Sequence, residues 1–447
     1  MWDRLKTQDI GCFISRSWEI AWPMTLIMVF EFLIGLTDVF VAGRLGENIQ
    51  AAYGFVIQFY FIFIIAANAL TVGTVSVVSR LFTAGDQEQL TTAVFSSLLA
   101  TAGAGTLFAL VGIFFAPDGI RLLNIPEQVK PFTIPLIQIY SGGLLFQYIV
   151  INGNGILRSC NRIKISLRTM TIVCGVNILL NFFFVFYTSL GFKGIALATA
   201  TASLVGSLIN LSQVRRLMTG VRSFSTALVK KVTIIGWPMA AVQILWQAGS
   251  MVLFLIISEL PENRVETLAA LTTGLRIESA IYLPAFAFNM ANAVIIGNLL
   301  GEKKQEEAYK SGLVTALIGV SVVTFMALLV VINAWWITSF LSTNPIVVRE
   351  SIRYIYIAMI SEPFMAWGII LGGGLSGAGD TRSVMVRVSM TIWFIRLPLA
   401  YLFVVVLGYG AASVWWCMNI SQFVQCYLLY RRYARKGWLA ASGPGMV

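Results

Sequence analysis

Apolar residues in this chain run in long unbroken tracts. No Asp, Glu, Lys or Arg occurs within residues 48–79, 89–117, 131–157, 169–192, 194–214, 232–258, 279–301, 311–348 or 397–430. Each tract is long enough to cross a bilayer as a helix, which takes about 20 residues. Three further apolar stretches carry a few charges, among them Glu31 and Asp38 in 17–43, Glu362 in 354–379 and Arg396 in 384–407. The pattern predicts an all-α polytopic membrane protein with twelve transmembrane helices.

The twelve spans divide into two similar halves. Ile20-Ala-Trp-Pro23 recurs as Ile235-Gly-Trp-Pro238, an offset of 215. Leu157-Arg-Ser-Cys-Asn161 lies opposite Leu375-Ser-Gly-Ala-Gly379, and Leu190-Gly-Phe192 opposite Leu407-Gly-Tyr409, at offsets of 218 and 217. The basic stretch Arg215 to Lys231 reads as the linker, which places one six-helix lobe in residues 1–222 and a second in 223–447. An even number of spans per half makes the repeats parallel, the arrangement of two pseudo-symmetric lobes used for alternating access.

Composition agrees with the membrane reading: 58% of residues are apolar and 11% charged, against roughly 45–50% and 25% in soluble domains. The net charge of +11 is a matter of topology rather than of nucleic-acid binding. With the N-terminus in the cytoplasm, inner segments hold 22 Lys and Arg and outer segments 7, which by the positive-inside rule puts both termini in the cytoplasm of a prokaryotic inner membrane. Met1 to Arg16 lacks a short apolar core with a cleavage site, so the first span is expected to be retained.

Catalytic chemistry is hard to assemble from this sequence. With no histidine there is no Ser-His or Cys-His pair and no His-ligated zinc. The five cysteines show no CxxC spacing, so neither a disulfide framework nor a structural metal is expected. No phosphate-binding Gly-x-x-x-x-Gly-Lys-Ser/Thr occurs, and the G-x-G-x-x-G match at Gly372, Gly374 and Gly377 lies in an apolar span with no preceding strand. The expectation is no enzyme and no cofactor.

Ionisable residues within spans are costly and by default mark a pathway, a relay or a pair. Asp38 lies six residues before Arg44, about 9 Å below the outer boundary at 1.5 Å per residue. Asn181 and Thr199 reach the same depth on spans five and six, and Asn177 shares the helix face of Asn181 at i,i+4. One carboxylate with three neutral oxygen donors suits a proton or sodium. In the second half, Arg276, Glu278, Glu362 and Arg396 reach similar depths, and two positives with two negatives suggest a mutually neutralising network or a gate. Glu31, about 10 Å below Asp38 on the same helix, is a candidate proton stop or cation contact. Trp18, Trp22, Trp335, Trp336 and Trp438 are expected as interfacial anchors, while Tyr140, Tyr148 and Phe286 are among the aromatics expected to line a cleft.

Three motifs carry a family resemblance: Leu36-Thr-Asp38-Val-Phe-Val-Ala-Gly43-Arg-Leu-Gly46, Gly377-Ala-Gly-Asp380-Thr-Arg382 and Gly191-Phe-Lys-Gly194-Ile-Ala-Leu-Ala-Thr199. The chain resembles the multidrug and toxic compound extrusion (MATE) family over both halves, closer to its DinF-like branch. The resemblance implies a proton- or sodium-coupled antiporter exporting amphipathic, often cationic, drug-like molecules, and assigns the ion site to Asp38, Asn177, Asn181 and Thr199. No metal beyond a possible sodium at Asp38 is implied. Where some members carry acidic residues on spans seven and ten, Trp246 and Met365 stand here. Expected partners are a small-molecule substrate and membrane lipid, with the protein a monomer. The alternative is a flippase or exporter of a lipid-linked metabolite from the same wider superfamily.

Overall fold

The computed structural model describes residues 7–122, 126–260, 262–342 and 344–440. Its helices are α1 (Thr7–Leu45), α2 (Glu47–Ala84), α3 (Gln87–Phe114), α4 (Ala116–Leu122), α5 (Lys130–Gly142), α6 (Leu144–Ser159), α7 (Ile163–Phe186), α8 (Lys193–Arg215) and α9 (Thr226–Ser258). They continue with α10 (Arg264–Gly301), α11 (Gln305–Ile332), α12 (Ala334–Leu341), α13 (Pro345–Gly377), α14 (Thr381–Thr391), α15 (Leu397–Tyr401), α16 (Ala411–Ala434) and α17 (Gly437–Ala440).

Among the described residues, ten helical segments are long and apolar enough to span a membrane, one of them running through Thr381–Val406. An eleventh span is α5 with α6, bent by 46° at their junction. There Gly143 packs on α8 so closely that an added Cβ would stand 3.0 Å from that of Ala200. The twelfth is α16, 24 residues long and diluted by Asn419, Ser421, Gln422 and Gln425. Twelve spans are thus present, as the hydropathy pattern predicts.

The repeat is written into the turns. Positive φ occurs at Gly46 and Asn263, Gly85 and Lys303, Asn161 and Gly379, and Gly191 and Gly408, four pairs each 217 or 218 positions apart. L side chains disfavour positive φ, so each pair marks a turn at corresponding places in both halves, although Gly46 (φ 128°, ψ 162°) and Asn263 (φ 50°, ψ 40°) differ in conformation. The third pair shares its capping bonds as well. Arg162 N donates to Leu157 O at 2.8 Å and Asp380 N to Leu375 O at 2.8 Å, the longer-range bond of a helix-terminating left-handed turn.

The chain forms two compact units, Leu26–Ala240 and Met1–Thr25 with Ala241–Val447. This division differs from the expected one at 222/223. Both α1 and α9 continue unbroken through a proline, Pro23 and Pro238, and change unit within three residues of it. In the first unit, the C-terminal ends of α2 and α6 and the N-terminal end of α3 pack with Leu217 and Val232 through Val77, Val78, Leu90, Val94, Ile156 and Leu157. Gly73 lies against the backbone of Val232, which is why the start of α9 belongs here. In the second unit, α10 and α13 are laced by Asn289 Nδ2 to Ile369 O at 2.6 Å and Asn292 Nδ2 to Ile370 O at 2.9 Å.

Expected anchors Trp18, Trp22, Trp335 and Trp336 are exposed, but Trp438 is fully buried. Its ring packs tilted on that of Tyr433, with centroids 4.9 Å apart, and Nε1 donates to Tyr433 O at 2.9 Å. A tryptophan near a chain end packs inward when its N–H finds a carbonyl to satisfy it.

Candidate functional site

Asp38 lies on the C-terminal half of α1 and is 2% exposed. Around it Val41, Ala42, Val56, Leu136, Val185 and Ile195 form an apolar cluster contributed by five helices. An ionised carboxylate in such surroundings needs hydrogen-bond donors. It has three: Asn181 Nδ2 donates to Oδ1, Tyr140 Oη to Oδ2 at 3.0 Å, and Thr199 Oγ1 to Oδ2 at 3.1 Å. Bonds to a charged acceptor contribute about 1.5–3 kcal/mol each.

Asn177 acts one step removed, its Nδ2 donating to Thr199 Oγ1 at 2.9 Å. The structure therefore brings together all four residues that depth along the helices had grouped. The carbonyl oxygens of Asn177 and Asn181 are buried with no hydrogen-bond partner. Beside one carboxylate stand two hydroxyl and two amide oxygens, an all-oxygen set that suits a hard cation as well as a proton.

Sequence reasoning missed Tyr140 as part of this site, placing it among cleft aromatics. It is 2% exposed, and its ring lies 5.3 Å from that of Tyr60 and 6.3 Å from that of Tyr53. The bend after Gly142 sets where α5 points, and no residue count along the chain reveals it.

The second-half charges do not form the expected ion-pair network. Among the described residues no salt bridge joins Arg276, Glu278, Glu362 or Arg396. Arg276 is exposed while Glu278, two residues on, is buried, because positions i and i+2 point to different sides of a helix. Glu278 is held by tyrosine hydroxyls, Arg396 by Ser421 at 2.8 Å, and Glu362 by no hydrogen bond. Glu31 is exposed and lies within electrostatic reach of Arg158, a proximity that sequence did not suggest.

A family model described as MatE matches residues 23–183 and again 238–402. The chain belongs to the MatE family. The two matches begin at Pro23 and Pro238, the residues that set the 215-residue offset of the repeat. This MatE chain is 22% identical over 437 residues to the uncharacterized transporter YisQ of Bacillus subtilis, covering 94% of each. With the multidrug resistance protein NorM of Vibrio vulnificus it shares 26% over 410 residues, 86% of each. Among solved structures, the Vibrio cholerae MATE transporter VcmN in its bent form superimposes with a TM-score of 0.90 at 18% identity, covering 98% of this chain and 99% of that one. A MOP superfamily transporter from Pyrococcus furiosus gives 0.88 at 18% identity with the same coverage. The fold is that of MATE transporters, and the MatE chain is a multi-pass membrane transporter.

Proposed function

We propose that the chain is a secondary antiporter which exports amphipathic, often cationic, drug-like molecules by alternating access, using inward movement of protons or sodium at Asp38. The observation that carries the reading is a buried carboxylate with three donors and two unengaged amide oxygens beside it. The multidrug resistance names of relatives covering most of the chain support the substrate class. The excess of Lys and Arg in alternate segments supports a cytoplasmic membrane with both termini inside. On this reading the protein works as a monomer, needs no cofactor beyond the coupling ion, and binds its substrate and lipid but no nucleic acid.

The mechanism follows from charge. While Asp38 is ionised, its three donors tie α1 to α5, α7 and α8. A proton or sodium ion arriving at the carboxylate cancels the charge those donors serve. Tyr140, Asn181 and Thr199 then gain less from pointing at it, so the helices are released to repack. Antiport requires ion and substrate to favour different states, with a coupling of about 1–3 kcal/mol that is reciprocal at equilibrium.

Purified protein in liposomes, given a proton gradient and a sodium gradient separately, tests the proposal. Accumulation of a lipophilic cation driven by either gradient, together with substrate-stimulated counterflow of that ion, is the expected result. Substrate movement indifferent to both gradients would overturn it.

A further inference from the structure

Charge in the unit Leu26–Ala240 is one-sided. No Asp or Glu occurs between Glu127 and Glu259, so α5, α6, α7 and α8 carry no acid at all. Arg162, Lys164 and Arg168 stand at the start of α7, and Arg215 and Arg216 at the end of α8. Arg162 is half-buried and the other four are exposed.

Hydrogen bonds fix the register of these two helix ends. Ser166 Oγ donates to Asn154 O at 3.3 Å and Asn210 Nδ2 to Asn154 Oδ1 at 3.0 Å, so Ser166 and Asn210 stand at one level beside α6. At 1.5 Å per residue, all five cations lie within about 9 Å of that level along the helix axes. Among the described residues no salt bridge reaches any of them.

The second half treats the matching end differently. Asp380 holds the place of Arg162, each donating its N–H to a leucine carbonyl in the same left-handed turn, and Asp380 accepts from Arg432 Nε at 2.7 Å. Lys436 Nζ reaches Glu306 at 2.6 Å and Lys304 Nζ reaches Glu302 at 2.9 Å. An excess of Lys and Arg on one side sets orientation. Orientation does not account for acids that pair with the cations in one half and are missing from the other.

The unpaired cations stand on the surface that lipid touches. Lys164, Arg168, Ile172, Leu179 and Phe183 follow spacings of 4, 4, 7 and 4, one side of α7, and all five are exposed. Arg215 likewise lies 7 and 4 positions past the exposed Leu208 and Leu211 on α8. The basic linker is drawn elsewhere, over α3: Gln87 Nε2 donates to Leu217 O, Ser223 shares a bond with Thr92, and Ser225 N donates to Ser96 Oγ, each at 2.9 Å. Exposed apolar side chains with cations at one end match the two parts of a phospholipid, and basic sites between membrane helices bind anionic headgroups.

We propose that the start of α7 and the end of α8 form a binding site for an anionic phospholipid of the leaflet at that end of the spans, its phosphate held by Lys164, Arg168 and Arg215. The lipid fastens together the helices that carry Asn177, Asn181 and Thr199. Its binding needs no ion gradient and no substrate, so it is measured on the resting protein.

Delipidated full-length protein in detergent, titrated with phosphatidylglycerol or phosphatidylcholine and read by native mass spectrometry, tests the site. Saturable binding of phosphatidylglycerol, with phosphatidylcholine far weaker, is the expected result, together with a higher melting temperature in the anionic lipid. Lys164→Gln/Arg168→Gln/Arg215→Gln should weaken phosphatidylglycerol binding about 100-fold. Lys164→Gln/Arg215→Gln covers the case in which the triple variant does not fold, and should weaken it about 30-fold. Arg382→Gln/Arg431→Gln/Arg435→Gln removes three charges at the matching end of the second half and should leave the affinity unchanged. Equal loss in the two triple variants would reduce the effect to net charge and overturn the site. So would equal binding of the two lipids, and so would displacement of phosphatidylglycerol by inorganic phosphate at equal concentration.

Discussion

The hydroxyl of Tyr140 donates to Asp38 Oδ2 at 3.0 Å, joining residues 102 positions apart in sequence. Thr199 reaches the same oxygen at 3.1 Å, and Asn181 serves the other. A carboxylate so supplied can be ionised inside an apolar cluster, yet one arriving cation alters three bonds on three helices at once. That is the property an ion-driven switch needs.

Asp38→Asn should abolish gradient-driven export and leave the protein folded. The amide keeps the shape of the side chain but cannot ionise. Transport in proteoliposomes, with a thermal melt of the same preparation, checks both halves of the statement.

Tyr140→Phe removes one donor from the ionised state and no bulk. A hydrogen bond to a charged group contributes about 1.5–3 kcal/mol, so the ionised state should weaken and a coupling proton bind about tenfold or more tightly. Export should slow because the ion leaves reluctantly. Ion titrations of substrate binding and initial export rates would show the two effects together, and a variant with wild-type values would remove Tyr140 from the site.

Asn181→Ala and Asn177→Ala separate the two ions. Asn181 donates to Asp38 directly, whereas Asn177 reaches it through Thr199. In a proton gradient Asn181→Ala should therefore impair export more than Asn177→Ala. In a sodium gradient both lose a free amide oxygen and should fall together. Thr199→Ala breaks a direct contact and the link to Asn177, and should resemble Asn181→Ala in either gradient.

The site was legible as far as depth was concerned. Counting residues from charged boundaries brings Asp38, Asn177, Asn181 and Thr199 to one level, because a helix has a fixed rise per residue. Direction around the helix is another matter. Arg276 and Glu278 share a level but not a face, which separates Arg276 from the buried acids, and Arg396 bonds Ser421 instead of a carboxylate. Tyr140 was one of 14 tyrosines until the bend between α5 and α6 aimed it. The repeat was legible from short motifs, and the paired left-handed turns explain why those motifs persist: Asn161 and Gly379 are residue types that accept a positive φ.

Small residues on α13 provide a stability test. A Cβ on Gly373 would meet the backbone of Asn289, whereas one on Gly372 would meet only Val384 Cγ1 at an ordinary 3.6 Å. Gly373→Ala should destabilise by about 1–3 kcal/mol as α10 and α13 are forced apart. Gly372→Ala should be neutral or stabilising by up to about 1 kcal/mol through helix propensity. Melting temperatures in one detergent compare them directly.

The passage of α1 and α9 from one compact unit to the other beside Pro23 and Pro238 bears on how such a chain can be cut. Two fragments divided at 222/223 would each carry an arm that packs with the other: residues 7–25 leave with the wrong partner, and so do 223–240. Neither piece made alone has the segment that completes it. Two copies of a single ancestral half could have met this need only by trading arms, so the fused gene secures within one polypeptide an exchange that separate halves would have to find by encounter.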